Sequence, residues 1–377
     1  MTKTTAEKKP SAGRAALDKF MKAHSKTAMF ASELPNTPRL KTGSLALDFV
    51  LNGGIPEGKV VELYGPSGGG KSTLALSIIA EQQRQWELDG NDDYIAVYLD
   101  LERSANIEYF QSVGVDTDRL LVIVPDSGED AINQTREILS TGIAKLIVLD
   151  SLAAMVSENE ITADAGDSVV AATARINTRF LRIVVGELEK TDSTLIVINQ
   201  IRDLFNAQSF GPKTKTTGGK ATEFFASMRI EIKRIGSLKD RKTNDVVGNK
   251  VKMTVEKSRF SPPKRSVETA IIFGKGISRN SELVDLGLQL KVLKKKGNAV
   301  VYGEDVIGAG HDAAVDAVAA DADLRSRLSV DVEAASDAFI AASKDSQNSE
   351  NSAVGDEYVD DAGDDVDSGV EEVPDFV

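Results

Sequence analysis

The chain lacks cysteine and has only two histidines, His24 and His311, among its 377 residues. The absence of cysteine excludes disulfides, thiolate nucleophiles and cysteine-based zinc sites. No apolar run approaches the roughly 20 residues that a membrane span requires, and the polar, lysine-bearing start lacks the apolar centre of a signal peptide. We therefore expect a cytoplasmic protein with no membrane partner, whose reactive groups are carboxylates, Lys and Arg.

The formal net charge of -13 is unevenly distributed along the chain. Residues 345–377 contain twelve Asp or Glu and no Lys or Arg, so the other 344 residues carry 46 acidic and 45 basic groups. This tail is too polar to bury a core, and we predict that it is disordered. Because the rest of the chain is nearly neutral, the net charge does not exclude a nucleic acid as a partner.

Short apolar stretches alternate with helical or glycine-rich ones between Leu40 and about Phe273. This alternation is typical of an α/β domain with a mostly parallel central sheet. Strands are predicted near 59–64, 94–100, 120–123, 145–150, 194–199, 228–234, 251–257 and 267–273. Helices are predicted near 72–88, 128–141, 167–190 and 222–226.

The chain divides into four predicted parts, and two long loops interrupt the second part. The parts are a basic arm with a short helix at 1–39, the α/β core at 40–278, a small Ala- and Asp-rich C-terminal α/β domain at 279–344 and the acidic tail at 345–377. The loops are Ser157 to Asp167 and Ile201 to Lys220. Loops of about twenty residues inside a compact domain are usually functional or mobile.

The octapeptide that follows the first core strand is a complete phosphate-binding loop. It consists of Gly65, Pro66, Ser67, Gly68, Gly69, Gly70, Lys71 and Ser72, and Thr73 continues it. Four glycines allow backbone N–H groups to turn toward phosphate oxygens, and the following helix N-terminus adds partial positive charge. We expect Lys71 to reach the β- and γ-phosphates and Ser72 to bind Mg²⁺. A glycine-rich turn of no function is disfavoured because a strand precedes the loop and a helix follows it.

Polar side chains end three of the other predicted strands. Asp150 ends a buried run and is the expected metal-site acid, although such an Asp can also be only a strand end. Glu102 follows another strand and can orient an attacking water, and Gln200 follows a third. Ligands of open α/β sheets bind at the carboxyl ends of the strands. We therefore expect these side chains and the phosphate-binding loop to form one site.

Five short motifs occur in order along the chain. They are Tyr64-Gly65-Pro66 with Gly70-Lys71-Ser72, Asp100-Leu101-Glu102, Val148-Leu149-Asp150-Ser151, Asn199-Gln200-Ile201-Arg202 and Thr216-Thr217-Gly218-Gly219. Together they resemble the RecA family of DNA strand-exchange recombinases, over about two thirds of the chain, from Leu40 to Leu290. The resemblance implies a RecA-like P-loop ATPase core and a helical filament in which ATP lies between protomers. It also implies DNA-stimulated ATP hydrolysis during homology search and strand exchange.

The resemblance assigns roles to residues of the nucleotide pocket. Glu102 resembles the glutamate that activates water, and Gln200 resembles the amide that couples the γ-phosphate to the DNA loops. Tyr109 resembles the aromatic residue near the adenine, and Asp100 is assigned to the same pocket. The expected cofactors are ATP and Mg²⁺.

Two basic residues resemble those that a neighbouring protomer contributes in trans. Lys257 matches a family lysine, whereas Arg259 stands where the family usually has a second lysine. An arginine there can stabilise charge on the γ-phosphate, but its planar fork differs in geometry from a point charge. The alternative is an exposed charged strand end.

Both long loops and one helix resemble the family's DNA-binding elements, the first loop running from Glu158 to Asp167. The residues expected to face DNA are Arg175, Arg182, Arg202, Phe210, Thr217, Gly218 and Gly219. Arg175 and Arg182 are seven residues apart and therefore share one face of a predicted helix. A solvated helix face is the alternative for these two arginines.

The expected partners are single-stranded DNA, double-stranded DNA and further copies of this chain. Single-strand-binding proteins, loader proteins and a role in the SOS response are left open. The acidic tail either improves solubility or competes with DNA for a basic surface, and truncation at about residue 344 separates these two roles. A truncated chain that binds DNA no tighter at low salt would exclude competition.

Two other functions are compatible with the same core. One is a different RecA-fold motor, such as a ring-shaped replicative helicase or a recombination mediator, but the short start and the lack of cysteine argue against an added assembly domain or zinc module. The other is a filament-forming DNA-binding protein that uses ATP only as a structural ligand. Glu102 and Gln200 count against this second alternative.

Overall fold

A computed structural model describes residues 12–25, 28–34, 36–162, 172–203, 214–216, 221–240 and 243–354. The chain forms two compact units, Met1–Arg39 and Leu40–Val377. In the first unit, helix α1 (Ala12–Ala23) carries the exposed side chains of Leu17 and Phe20. The second unit contains the central sheet and all the site residues considered below.

The second unit is a layered α/β fold. Its short first elements are β1 (Arg39–Leu40, which begins in the first unit), α2 (Leu45–Val50) and β2 (Ile55–Pro56). The strands of the large sheet are β3 (Val60–Gly65), β4 (Ile95–Asp100), β5 (Leu120–Ile123), β6 (Ala144–Asp150), β7 (Thr194–Asp203), β8 (Thr214–Thr216), β9 (Met228–Lys239), β10 (Val246–Ser258), β11 (Ser266–Ile272) and β12 (Gly276–Ile277). The helices between them are α3 (Lys71–Leu88), α4 (Ile107–Ser112), α5 (Gly128–Ser140), α6 (Glu158–Thr162), α7 (Ala172–Thr191) and α8 (Ala221–Phe225).

The strand order of the large sheet is β12-β11-β10-β9-β3-β7-β6-β4-β5, with β8 paired to β7. The six strands from β9 to β5 are parallel, and β10 to β12 extend the sheet in antiparallel fashion. These pairings confirm the predicted α/β class with a mostly parallel sheet. The hairpin of β9 and β10 is longer than predicted, and α2 and α4 were not predicted at all.

Apolar side chains alternate between the two faces of the sheet and form two cores. Val61 and Ile196 face α3, whereas Val60 and Val197 face the layer that contains α5 and α7. Successive side chains of a strand point to opposite faces of the sheet. Both faces are apolar because helices cover both of them. The central strands are therefore buried on both sides, and the functional groups lie at the strand ends.

The C-terminal part joins a small antiparallel sheet to three helices. They are α9 (Arg279–Gln289), β13 (Leu293–Lys296), β14 (Ala299–Tyr302), β15 (Asp305–Ala309), α10 (His311–Ala320) and α11 (Ala322–Val354). Helix α11 continues ten residues past 344, where the acidic tail was predicted to begin. Its alanine-rich first half favours helix, which explains part of this length. None of the described helices is long and apolar enough to cross a membrane.

Two buried carboxylates hold α2: Glu282 joins α9 to the start of α2, and Asp48 joins α2 to the preceding residue Thr42. Glu282 of α9 accepts hydrogen bonds from Ser44 Oγ (2.6 Å), Leu45 N (2.8 Å) and Thr269 Oγ1 (2.7 Å). Asp48 of α2 accepts from the backbone N–H and the hydroxyl of Thr42, at 2.9 and 2.7 Å. Burial raises the pKa of Asp48 to about 7, although both Thr42 bonds oppose that shift. Burial also raises the pKa of Glu282.

The raised pKa of Asp48 predicts a pH-dependent stability. The folded chain binds this proton more tightly than the unfolded chain, so the free energy of unfolding falls as pH rises from about 4 to about 7. Asp48→Asn keeps the carbonyl acceptor for Thr42 and removes the titration. Between pH 5 and 6.5, we expect the wild-type unfolding free energy to fall with pH more steeply than that of D48N, by up to about 1.4 kcal/mol per pH unit. The unfolding free energy is measured by urea unfolding at each pH. An equal dependence on pH in wild type and D48N would contradict this prediction.

Candidate nucleotide-binding site

The phosphate-binding loop connects the end of β3 to the start of α3, as predicted. The backbone of the loop requires glycine at two positions, because Gly65 has φ 153° and Gly70 has φ 96°. A Cβ atom on Gly65 would overlap the carbonyl oxygen of Ile232, and one on Gly70 would overlap Ile271 Cδ1. The loop therefore lies directly against β9 and β11.

Lys71 and Ser72 begin α3 and lie at the loop. Lys71 Nζ donates hydrogen bonds to the carbonyl oxygens of Gly65 (3.1 Å) and Pro66 (2.8 Å). Burial lowers the pKa of Lys71, while the nearby carboxylates of Asp150 and Glu102 oppose this effect. The ammonium group is thus held against the loop at the N-terminus of α3, and a cation together with a helix N-terminus suits an anion.

Asp150, at the end of β6, is in direct contact with Ser72. Ser72 Oγ donates to Asp150 Oδ2 at 2.8 Å, and Tyr98 OH donates to the same oxygen at 2.5 Å. Burial raises the pKa of Asp150, and these two hydrogen bonds oppose that shift. A hydroxyl and a carboxylate are hard oxygen donors, and Mg²⁺ is usually held by one or two such protein groups together with waters and phosphates. The pair Ser72 and Asp150 therefore fits a magnesium ion.

Glu102 and Gln200 are in direct contact at the same sheet edge. Gln200 Nε2 donates to Glu102 Oε1 at 2.9 Å, and the hydroxyl of Ser151 donates to the same oxygen. Because β4, β6 and β7 are adjacent and parallel, their carboxyl ends bring these three side chains together. The predicted cluster of polar strand ends is therefore present, and Ser151 joins it.

A cavity of about 440 Å³ connects these groups. It is lined by residues 67–73, by the polar side chains of Glu102, Asp150 and Gln200, and by Tyr109, Val251, Ile271, Ile272 and Phe273. Tyr109 lies on α4, which starts after the capping residue Asn106, and its hydroxyl is 2.5 Å from Thr73 Oγ1. A cavity with both polar and apolar lining residues suits a nucleotide.

Asp100 does not line this cavity. Its carboxylate accepts hydrogen bonds from the backbone N–H groups of Ser104 (3.0 Å) and Ala105 (2.8 Å). These bonds fix the turn between β4 and α4, on which Glu102 lies. The structure thus gives Asp100 a supporting contact with the backbone of this turn.

Lys257 and Arg259 lie outside the cavity lining of their own chain. Lys257 Nζ donates to the carbonyl oxygen of Glu223 at 2.6 Å. Burial lowers the pKa of Lys257, and the positive charges of Arg259 and Arg229 add to this effect. Phe224, next to Glu223, is 71% exposed and lines a small groove with Arg259. The two cations therefore belong to a different face of the chain from the phosphate-binding loop.

The residues predicted to face DNA are described only in part. Arg175 and Arg182 are exposed on α7, and Arg179, which the prediction omitted, is exposed between them. The first predicted loop begins with the short helix α6 and then leaves the described residues at 163. In the second loop, the backbone of Arg202 pairs with Lys215. Four predicted residues lie outside the described residues: Phe210, Thr217, Gly218 and Gly219.

A buried polar network holds the strand that carries Gln200. Asn199 Nδ2 donates to Glu62 Oε1 at 2.8 Å, and Arg229 Nε donates to the other oxygen of Glu62. Asn199 Oδ1 also accepts from the backbone N–H of Gln200 at 2.9 Å. This network was not predicted, although Glu62, the one charged residue in the apolar strand β3, was a usable signal.

Breaking the network should destabilise the fold strongly. Glu62 is fully buried and Arg229 is 14% exposed, so Glu62→Gln removes the closest counter-ion of a largely buried guanidinium and leaves only Glu223 at 4.0 Å. We expect a loss of about 3 kcal/mol in the free energy of unfolding. Glu333→Gln is the control, because it breaks the exposed pair with Arg279 and should lose less than about 1 kcal/mol. Equal unfolding free energies for E62Q and E333Q would contradict the prediction.

The sequence of this chain is similar to those of known proteins. The family model described as the RecA N-terminal domain matches residues 12–278. Protein RecA of Wolinella succinogenes is 41% identical over 274 residues, which are 72% of this chain and 76% of that protein. Protein RecA of Helicobacter hepaticus is 38% identical over 310 residues, or 81% of this chain and 87% of that protein. The matched family region contains the phosphate-binding loop, the polar strand ends and both cations, Lys257 and Arg259.

Proposed function

The chain belongs to the RecA family of recombinases, and we propose that it is an ATP-dependent recombinase that forms helical filaments on single-stranded DNA. Membership gives it a role in DNA recombination and repair, with binding of nucleotide and DNA. In the proposed activity, the filament searches double-stranded DNA for homology and exchanges strands, and ATP hydrolysis releases the product. Homology is read by base pairing between the DNA strands, while the protein contacts their backbones.

One observation carries the proposal: Glu102 Oε1 accepts the hydrogen bond of Gln200 inside the cavity that Lys71, Ser72 and Asp150 also line. These groups match the needs of phosphoryl transfer to water. In such reactions, catalysis depends mainly on positioning and on stabilising the charge of the transferred group. A site built only to hold a nucleotide would not need a carboxylate at the position of the attacking water.

Each residue has a distinct part in the proposed hydrolysis. The loop N–H groups and Lys71 bind the β- and γ-phosphates. Ser72 and Asp150 would hold Mg²⁺, which neutralises charge on the phosphate oxygens. Glu102 orients the attacking water and accepts its proton, and Tyr109 packs near the adenine. Asp100 supports the turn that carries Glu102.

Gln200 is the proposed link between ATP and DNA. Its amide contacts Glu102, and its strand β7 continues to Asp203 and pairs with β8. When the Gln200 amide moves to the γ-phosphate, the displacement of Gln200 is transmitted along β7 to Arg202, two residues away. It also passes through the pair Ile201 and Thr216 to the residues that follow Thr216 in the chain: Thr217, Gly218 and Gly219.

Neighbouring protomers would complete each ATP site. Lys257 and Arg259 lie on another face of their own chain, and we propose that they contact the γ-phosphate bound by the next protomer. Exposed Phe224 beside them suits a protein contact. The filament is thus a head-to-tail assembly of copies of this chain.

The DNA contacts are proposed for one helix and two loops. Arg175, Arg179 and Arg182 are exposed at an i, i+4, i+7 spacing on α7, which places them on one helix face toward a phosphate backbone. The proposed loop contacts come from Arg202, Phe210, Thr217, Gly218 and Gly219. In this proposal, 40–278 is the ATPase core, 279–344 is a small C-terminal domain, and 1–39 and 345–377 are the arm and the acidic tail.

Phosphate release from ATP tests the proposed function. With Mg²⁺ present, we expect release to increase when single-stranded DNA is added and to stop when a chelator removes the metal. Release that is insensitive to DNA would instead favour another motor on the same fold. No release at all would favour a DNA-binding protein that holds ATP as a structural ligand.

A further inference from the structure

Tyr98 is a buried tyrosine whose hydroxyl ends at the metal-site carboxylate. It lies on β4, is 3% exposed and donates to Asp150 Oδ2 at 2.5 Å. Its ring packs against Phe110, with the ring centroids 5.4 Å apart. The ring position is therefore fixed by the core, and so is the position of the hydroxyl.

Strand register explains why this hydroxyl reaches Asp150. Tyr98 pairs with Val148 on the adjacent parallel strand β6, and Asp150 lies two residues further along β6. Residues two apart on a strand point to the same face, so the side chains of Tyr98 and Asp150 share one face of the sheet. That face is covered by α3, which carries Ser72 at its first turn.

The two donors to Asp150 Oδ2 are not equivalent. Ser72 is itself a proposed metal ligand, so its hydroxyl would bind the ion as well as the carboxylate. Tyr98 has a phenol fixed in the core and lies behind the carboxylate rather than in the cavity lining. Of the two, only Tyr98 can orient the carboxylate without also binding the ion.

We propose that Tyr98 is a positioning residue that fixes the Asp150 carboxylate for Mg²⁺ bound with the nucleotide. The proposal rests on the proposed function, because it assumes that Ser72 and Asp150 hold the metal. A charge-assisted hydrogen bond orients such a carboxylate, and its loss should weaken metal binding more than nucleotide binding.

Tyr98→Phe tests the proposal because it removes only the hydroxyl and keeps the ring contact with Phe110. Binding of a fluorescent ATP analogue is titrated against Mg²⁺, and Mn²⁺ binding to the protein with ATP is followed by electron paramagnetic resonance. We expect the half-saturating metal concentration to rise about tenfold in Y98F, the scale of one charge-assisted hydrogen bond. Nucleotide affinity at saturating metal should stay within about twofold of wild type.

Tyr302→Phe is the matched control. Tyr302 OH donates to Asp331 Oδ2 at 2.6 Å in the C-terminal part, so Y302F removes the same kind of bond far from the site in sequence and in fold. We expect its metal dependence to equal that of wild type. If Y98F shifts the thermal unfolding midpoint but leaves its metal dependence within twofold of wild type, the hydroxyl is only a structural contact and the proposal is wrong.

The test also separates this inference from the proposed function. Wild-type protein whose nucleotide binding does not depend on metal would contradict both. Metal-dependent binding that is equal in wild type and Y98F would overturn the role of Tyr98 alone.

Discussion

Replacing Lys257 and Arg259 together by alanine should lower DNA-stimulated ATP hydrolysis by about a thousandfold or more, while isolated protomers still bind ATP. The two cations lie outside the cavity of their own chain, so their loss leaves residues 65–73, Asp150 and Tyr109 intact. In a filament they would reach the γ-phosphate of the next protomer. Cations supplied in trans to a transferred phosphoryl group contribute about 10³ to 10⁵ in rate.

The control removes two exposed, ion-paired cations that do not line the cavity. Lys190 and Lys264 are exposed and paired with Glu187 and Glu256, so K190A/K264A should hydrolyse ATP within about twofold of wild type. Phosphate release with single-stranded DNA measures hydrolysis, and a fluorescent ATP analogue measures binding. Hydrolysis retained in K257A/R259A would remove both residues from the ATP site.

Replacing Glu102 by glutamine should lower hydrolysis by about 10² to 10³ and leave ATP and DNA binding nearly unchanged. Glutamine retains an oxygen that can accept from Gln200 and Ser151, so the local contacts survive. The substitution removes the negative charge that, in the proposed mechanism, orients and deprotonates water, and such general-base catalysis contributes about 10² to 10⁴. Single-turnover hydrolysis on DNA measures the chemical step directly.

An acidic residue outside the cavity provides the control for this change. Glu137 is exposed on α5, and E137Q should hydrolyse ATP at the wild-type rate. A single-turnover rate for E102Q within threefold of wild type would show that Glu102 is not the catalytic carboxylate. Loss of ATP binding in E102Q would show that Glu102 has a structural role instead.

Mixing these two inactive variants tests the shared site. In a mixed filament, some interfaces combine the intact Glu102 of one variant with the intact Lys257 and Arg259 of the other. If the variants assemble at random in equal amounts, about a quarter of the head-to-tail interfaces are complete. Partial recovery of hydrolysis supports a site shared between protomers. Recovery should be absent if all catalytic groups act within one chain.

The phosphate-binding loop and the sheet edge could be predicted because their determinants are local. Glycines between an apolar strand and an apolar helix predict the turn of residues 65–72. The fold adds a second reason for two of them, because a Cβ atom on Gly65 or Gly70 would overlap Ile232 or Ile271. The carboxyl ends of neighbouring parallel strands must lie at one edge, so Glu102, Asp150 and Gln200 were predicted to meet. Only the pairing of β4, β6 and β7 was needed for this result.

The supporting contacts could not be predicted, because they depend on strand register and on side-chain direction. A tyrosine in an apolar strand is most often a core residue, and nothing local indicates that Tyr98 ends at Asp150. Ser151 and Asp100 gained their partners only from the geometry of the turn after β4. The boundary of α11 was also missed, because its acidic, serine-rich second half has the composition of a disordered tail.

Strand exchange with labelled single-stranded DNA and a homologous duplex, in the presence of ATP and Mg²⁺, is the most direct test of the proposed recombinase. A heterologous duplex of the same length provides the control. Exchanged product is expected with the homologous duplex alone. DNA-stimulated ATP hydrolysis without any exchanged product would contradict it and would assign the chain to a motor or mediator within the same fold.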